Sequence, residues 1–407
     1  LATVRPLMET ASFGGSVQRF EEPRGASFAG FFRFDVILLL AGVALIGCSV
    51  YVLSAATEND IPGNPSYYVV RQAAYGAVGI VMMMLLSRFD YSRLREIRLG
   101  LYGVMIALIL LVFGVGATAR GSQRWISLPF FKLQPSELGK VLLILALSAF
   151  VVDRVRRLNE WRTTSRIVLL ALVPAMLVVA QPDLGSGMVY LVVSAAVLFV
   201  AGTKWTHFAA LGTLLVTAIV VVLVAAPAAG VHVLKPYQAD RLTAFVNPSD
   251  NPRGQGYQLN QSMIGVGAGQ KTGRGANGAT QTKLNFLPEH HTDFIFSVVG
   301  EAYGFLGCAL ILSLYALLIW RGLRILTMAK NLYGALIAGG ITAMLMFQVF
   351  VNVGMTIGIM PITGVPLPLM SYGGSSVLVT FLALGLLQSV YAQARELAVV
   401  KGRDLLP

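Results

Sequence analysis

The chain has 407 residues, of which 56% are hydrophobic and only 12% charged. A water-soluble domain is roughly 45–50% apolar and about 25% charged, so a single soluble core is excluded: it would lack the polar surface to cover itself. The net charge of +12 would suggest a nucleic-acid partner in a soluble protein, but here Lys and Arg fall in short stretches between apolar runs, which is how membrane helices are oriented.

A bilayer core takes about 20 apolar residues per helix. On that scale the chain reads as an all-α polytopic membrane protein with about ten spans. In order they lie near 36–54, 67–87, 98–117, 137–152, 166–182, 185–202, 206–228, 293–319, 333–360 and 373–394. The polar, Pro-interrupted stretch Gln181-Pro182-Asp183-Leu184-Gly185-Ser186-Gly187 splits 166–202 into two spans. No cleavable signal peptide is expected, because the first apolar run is followed by many more. Cys48 and Cys308 lie inside apolar runs and suggest no disulfide framework.

The connections alternate in charge. Residues 55–66 carry no Lys or Arg, and the next connection holds Arg88, Arg93, Arg95 and Arg98. Arg154, Arg156, Arg157, Arg162 and Arg166 follow the fourth span, Lys204 the sixth, Arg321, Arg324 and Lys330 the eighth, and Arg395, Lys401 and Arg403 the tenth. All fall on one side if both termini are cytoplasmic. The N-terminal segment 1–35, with Phe28, Phe31, Phe32 and Phe34, then reads as an interfacial anchor, and 397–407 as a cytoplasmic tail. The long connection 230–292, between the seventh and eighth spans, falls outside. It is too rich in Gly for one regular helix and too apolar for disorder, so short helices on the outer membrane face are expected.

Ionisable residues at membrane depth default to a functional reading, and three stretches at the outer ends of spans carry them. In Leu287-Pro288-Glu289-His290-His291-Thr292-Asp293, Asp293 opens an apolar helix. It suits either an N-terminal cap favoured by the helix dipole or a general base, and the Glu289, His290, His291, Asp293 cluster is also open to a metal, without a diagnostic ligand spacing. In Gly121-Ser122-Gln123-Arg124-Trp125 and Gln134-Pro135-Ser136-Glu137-Leu138-Gly139-Lys140, Pro135 suits a helix start. Glu137 and Lys140, three apart, share a helix face, either as a structural ion pair or as part of a diphosphate site with Arg124. In the stretch from Met360 to Ser376, Pro361, Pro366 and Pro368 forbid a regular helix, and Ser371-Tyr372-Gly373-Gly374-Ser375 then opens the last span with backbone N–H groups suited to an anion. Glu301 sits inside the eighth span with no partner evident in the sequence, and a packed, hydrogen-bonded core carboxyl is expected there.

Together with Gln181–Gly187 and Gly254–Gly275, these stretches resemble the SEDS family (shape, elongation, division and sporulation) over about 35–396. Phe89-Asp90-Tyr91, Phe286-Leu287-Pro288-Glu289 and Met360–Pro366 resemble the RodA-like elongation branch more than the FtsW-like division branch. The chain departs from the family pattern in two places. Ala302 stands where a second Glu is frequent, and Gly269-Gln270-Lys271-Thr272-Gly273 lacks a double glycine.

The resemblance implies a peptidoglycan glycosyltransferase of the bacterial inner membrane, facing outside the cytoplasm. It would polymerise lipid II beside a class B penicillin-binding protein, a transpeptidase. It places the catalytic aspartate on Asp293 and an acid–base pair on Glu137 and Lys140. Arg124, Gln261, Ser262, Lys283, Glu289, His291, Thr292, Ser371, Tyr372, Gly373, Gly374 and Ser375 are the candidate substrate contacts. No cofactor is required by the pattern, although a divalent cation such as Mg suits a diphosphate leaving group. Membrane lipids are the other expected partner and nucleic acid is not. The rival readings are a flippase for the lipid-linked precursor and a non-catalytic scaffold. A transporter places polar residues through the midplane, whereas here they gather at outer ends.

Overall fold

The computed structural model describes residues 34–58, 60–119, 122–127, 132–228, 245 and 254–400. The Phe-rich stretch up to Phe32, the C-terminal tail from 401 and most of 229–253 lie outside them. Helices α1 (Val36–Ala56), α2 (Tyr67–Ser87) and α3 (Arg98–Val115) come first. A small antiparallel sheet follows, of β1 (Ala117–Ala119), β2 (Ser122–Ser127) and β3 (Lys132–Leu133) in the order β1-β2-β3. Then come α4 (Pro135–Asp153), α5 (Trp161–Ala180), α6 (Leu184–Val200) and α7 (Trp205–Ala228, with a π-helical turn at Val221–Ala225). The described part of the 230–292 connection carries α8 (Gln255–Gly269), α9 (Gly275–Gly278) and α10 (Thr280–Lys283), and α11 (Ile295–Met328), α12 (Leu332–Thr356) and α13 (Gly374–Val400) follow.

Among the described residues, eight helices (α1, α2, α4, α5, α7, α11, α12 and α13) are long and apolar enough to cross a membrane. The shorter apolar α3 and α6 stand where the third and sixth spans are expected, so the count reaches ten only with these two included. The largest differences from the expected spans are extensions past the apolar core. α5 begins at Trp161, α11 runs 34 residues to Met328 and α13 continues to Val400. The part of α11 after its break at Gly304 is 24 residues, about 36 Å at 1.5 Å per residue, beyond a hydrocarbon thickness of about 30 Å. The sheet is a further departure from a purely helical reading, since its strands are too short for an alternating pattern to register.

The helix starts have identifiable causes. Asp35 caps α1 by accepting from Leu38 N at 3.0 Å, Asp183 caps α6 through Ser186 N at 3.1 Å, and Asn331 caps α12 through Gly334 N at 2.8 Å. Pro135 sits in the first turn of α4, where its missing N–H costs nothing. α4, α12 and α13 form the buried centre, with α1 and α11 against them, while α3, α5 and α6 build a second core against α4. α2 and α13 approach closely because both carry small residues: a Cβ at Gly385 would fall 3.0 Å from Met83 Cα. The membrane-length part of α7 buries almost nothing against the rest of the described chain.

The Arg-rich connections are tied together at one end of the bundle. Arg95 and Arg98 pair with Asp153 at 2.9 and 3.0 Å, Tyr91 Oη bonds Asn331, and Ser389 Oγ donates to Phe89 O. Arg321 Nε donates to the buried Asp35 carboxylate at 2.8 Å, and Gln388 bonds the Asp35 backbone in both directions. This grouping is what the charge alternation requires. At the other end the described part of the 230–292 connection, from 254 onward, forms short helices. Glu301, buried in α11, accepts from Gln281 N, Thr282 N and Thr282 Oγ1 at 2.8–3.1 Å, so its carboxylate holds the first turn of α10. At Gly304 the backbone of α11 leaves the helical region (φ +62°), and a Cβ there would lie 2.4 Å from Gly273 N. The amides freed by this break are taken up by the loop after α8: Phe305 N donates to Gln270 O and Leu306 N to Lys271 O.

Candidate active site

The turn before α11 is fixed by its backbone. α11 starts at Ile295 with Phe294 in the cap position and no side-chain cap bond, so Asp293 lies one residue outside the cap. Its carbonyl accepts from Asn352 Nδ2 at 2.9 Å, and the same amide group donates to Val365 O at 2.8 Å. The Thr292 carbonyl accepts from Ser371 Oγ at 2.6 Å, and the His291 carbonyl from Tyr372 N at 2.9 Å. Thr292 Oγ1 donates to Glu289 Oε2 at 2.9 Å. The Asp293 side chain is partly exposed. Thus the Asp293 turn and the Pro-rich 360–373 connection are a single hydrogen-bonded body.

The second motif meets the same body. Ser375 Oγ donates to Lys132 O at 2.8 Å and accepts from Gln134 N at 2.9 Å, which attaches the start of α13 to the entry of α4. One helical turn further in, Lys140 Nζ is 2.7 Å from Glu137 Oε1, both nearly sealed from solvent, at 1% and 3% side-chain exposure. Asp183 crosslinks the region from α6, because its Oδ2 accepts from Gln134 Nε2 at 3.1 Å and Ser136 Oγ at 3.2 Å. Tyr190 Oη donates to Ser136 O at 3.1 Å. Gly139 is required there, since a Cβ would overlap that hydroxyl at 2.0 Å. Arg124 Nε, on β2, donates to Gln181 O at 3.2 Å.

From the other flank, α1 and α2 supply polar groups in otherwise apolar helices. Ser49 Oγ donates to Met370 O at 2.7 Å, and Gln72 Nε2 to Ser371 O at 3.2 Å and Ser49 Oγ at 3.0 Å. The half-buried Tyr372 hydroxyl bonds the exposed Arg71. Burial pushes the Tyr372 phenol up to about 12, with Tyr75 adding to the shift and Arg71 opposing it, so Tyr372 is a neutral donor at working pH.

All three polar motifs are therefore brought together at one end of the bundle. Glu289, His291, Thr292, Tyr372, Gly373 and Gly374 are partly exposed there. Ser371 and Ser375 are buried, with hydroxyls bonded to backbone. Ser262 also faces inward, packed on Ser297 and donating to Thr356 O at 2.7 Å, and docks α8 onto α11 and α12. Gln261 stays partly exposed on α8. Lys283 Nζ is 3.8 Å from Glu58 Oε2. Arg71, Gln72, Asp183 and Asn352 belong to the site but carried no assigned role in the sequence. Gln72 and Asn352 had a usable signal, as polar residues inside apolar spans.

The family model for FtsW, RodA and SpoVE, described as "Cell cycle protein", matches residues 33–396. The chain belongs to this family. Within the SEDS proteins it is 34% identical to the peptidoglycan glycosyltransferase MrdB of Escherichia coli (strain K12), over 93% of this chain and 99% of that one. It is 35% identical to stage V sporulation protein E of Bacillus subtilis (strain 168), over 88% of this chain and 96% of that one. Among solved SEDS-like structures, a chain of "Structural coordination of polymerization and crosslinking by a peptidoglycan synthase complex" matches with TM-score 0.74 and 31% identity, covering 89% of this chain and 98% of that one. The rod shape determining protein RodA of Thermus thermophilus matches with TM-score 0.65 and 29% identity, over 89% and 98% of the two chains.

Proposed function

We propose that this chain is a peptidoglycan glycosyltransferase that polymerises lipid II into glycan strands for cell elongation. The site lies in the inner membrane, facing away from the cytoplasm, and works beside a class B penicillin-binding protein. The observation that carries this reading is the hydrogen-bonded convergence of the Asp293 turn, the Ser371–Ser375 segment and the α4 entry at the end of the bundle opposite the Arg-rich connections. A membrane-embedded site lets both polyprenyl tails stay in the bilayer while their sugars meet at its surface.

In the reaction an acceptor hydroxyl attacks the anomeric carbon of the donor sugar. The carbon–oxygen bond to the diphosphate breaks, and the polyprenyl diphosphate leaves with that electron pair. Asp293 takes the hydroxyl proton as the new bond forms. Arg71, Lys283 and Arg124 supply positive charge for the leaving diphosphate. Glu137 and Lys140 are too buried to meet a sugar and act as positioning residues for the α4 entry. Ser371, Ser375 and Asn352 position the Asp293 turn and the Pro-rich segment.

The deciding experiment supplies purified protein and its transpeptidase partner with lipid II. Glycan polymer resistant to inhibitors of other polymerases is the expected product. Lipid II crossing the bilayer of proteoliposomes without polymerising would instead identify a flippase. Orientation is tested separately in cells after Cys48 and Cys308 are changed to Ser. A cysteine at the exposed Asn285 should react with an impermeant maleimide and one at Arg156 should not. Labelling at Arg156 from outside reverses the topology.

A further inference from the structure

The α1–α2 connection and the turn before α11 meet at three side chains. Asp60 Oδ2 is 3.1 Å from His290 Nε2 and 3.8 Å from His291 Nδ1, and the three atoms lie within 4.8 Å of one another. All three are shielded from solvent. At 3.1 Å, Asp60 and His290 are near enough to hydrogen bond, yet their atoms are not aligned for one.

The remaining nitrogen of His290 fixes what this means. Its Nδ1 lies 3.1 Å from the Leu287 carbonyl. A carbonyl only accepts, so Nδ1 carries the proton and, in the neutral ring, Nε2 turns a lone pair toward the carboxylate. Two buried lone pairs face to face repel unless something positive lies between them. A metal ion can lie there, and a ring N–H held by a backbone carbonyl is the usual outer support of a metal-bound histidine. The His291 ring lies against Tyr68, with centroids 4.6 Å apart, which restricts its orientation. Lys283, at the end of α10, reaches Glu58 of the same α1–α2 connection at 3.8 Å.

We propose that Asp60, His290 and His291 bind one divalent transition-metal ion, clasping the α1–α2 connection to the turn that carries Asp293. With metal–ligand bonds of about 2.0–2.2 Å, tetrahedral donors stand about 3.3–3.6 Å apart. The 3.1 and 3.8 Å separations straddle that range, and the remaining pair lies within 4.8 Å. Two imidazoles and a carboxylate suit zinc better than magnesium or calcium, which take oxygen ligands. Three protein ligands leave one position for water or a substrate oxygen. The predicted Glu289, His290, His291, Asp293 grouping is thus replaced by one in which the third ligand comes from Asp60, some 230 residues away in sequence.

The test is metal binding by the purified full-length chain, independent of polymerisation. After chelator treatment the protein is dialysed against Zn²⁺, Mn²⁺, Co²⁺ or Mg²⁺ and its metal content measured. One Zn²⁺ per chain is expected, with Co²⁺ giving visible absorption bands of nitrogen–oxygen ligation and Mg²⁺ not retained. Asp60→Asn and His290→Ala should weaken Zn²⁺ binding beyond the roughly 10–100-fold that loss of an outer partner costs. His207→Ala, at a distant histidine bonded to Thr164, should leave it unchanged. Failure of the unmodified protein to retain Zn²⁺ or Mn²⁺, or to give Co²⁺ bands, overturns the proposal whatever the variants do. Wild-type affinity in folded Asp60→Asn and His290→Ala proteins overturns it equally.

Discussion

Asp293→Asn protein is expected to be made, to insert and to bind its transpeptidase partner, yet to form little or no glycan from lipid II. An amide cannot take a hydroxyl proton at useful pH, whereas general-base help contributes typically about 10²–10⁴-fold. Asparagine and aspartate rank alike as helix caps, so a capping role predicts near-normal activity for the same variant. The structure sharpens this contrast, because Phe294 occupies the cap position of α11 and makes no side-chain cap bond. The backbone carbonyl of residue 293, which holds Asn352, is untouched by the substitution. Melting temperature and partner binding near wild type, alongside a rate lowered by at least about 100-fold, is the expected combination. Near-wild-type polymerisation would remove Asp293 from the mechanism.

The second large effect is expected at Glu137 and Lys140. Each carries its charge at 3% side-chain exposure or less, and each has the other at 2.7 Å. Lys140→Met leaves a buried carboxylate without its counter-ion, and breaking such a pair from one side costs about 3–5 kcal/mol. Replacing both, as Glu137→Leu with Lys140→Met, removes both desolvation penalties and should restore much of the lost stability. Thermal unfolding in detergent measures the difference. A double variant that melts like the wild type but polymerises poorly assigns the pair to positioning the α4 entry. A double variant as unstable as Lys140→Met contradicts the pairing argument, and single variants that leave both folding and polymerisation intact make the pair dispensable.

Most of the helical plan was legible because lipid imposes a simple rule: a span needs a long apolar run, and the runs are there. The ends of α5, α11 and α13 were not legible, since a helix extending into the headgroups or water carries no apolar signature. The sheet before α4 is too short and too polar to show its period. The outer-end motifs pointed to one site because Asp293, Glu137 and Ser371 stand beside Pro and Gly breaks at span ends. Their wiring was hidden. Ser262, Ser371 and Ser375 read as substrate contacts, yet they bond to backbone, because a hydroxyl looks the same in sequence whether it meets a ligand or a carbonyl. Asp60 was invisible for another reason: its partners lie far along the chain, and only the folded bundle brings them together.

The break in α11 is not a free hinge. At Gly304 the helix gives up its own ladder, and the amides of Phe305 and Leu306 are answered by the carbonyls of Gln270 and Lys271. Straightening or further bending of α11 must therefore break those bonds, at about 0.5–1.5 kcal/mol each, and pull on the loop that makes them. Glu301, one turn away, grips α10 through three more. Helices α8 to α10 and the start of α11 are thus geared together: a displacement of either passes to the other through these bonds, and the helix it moves is the one whose first residue follows the Asp293 turn.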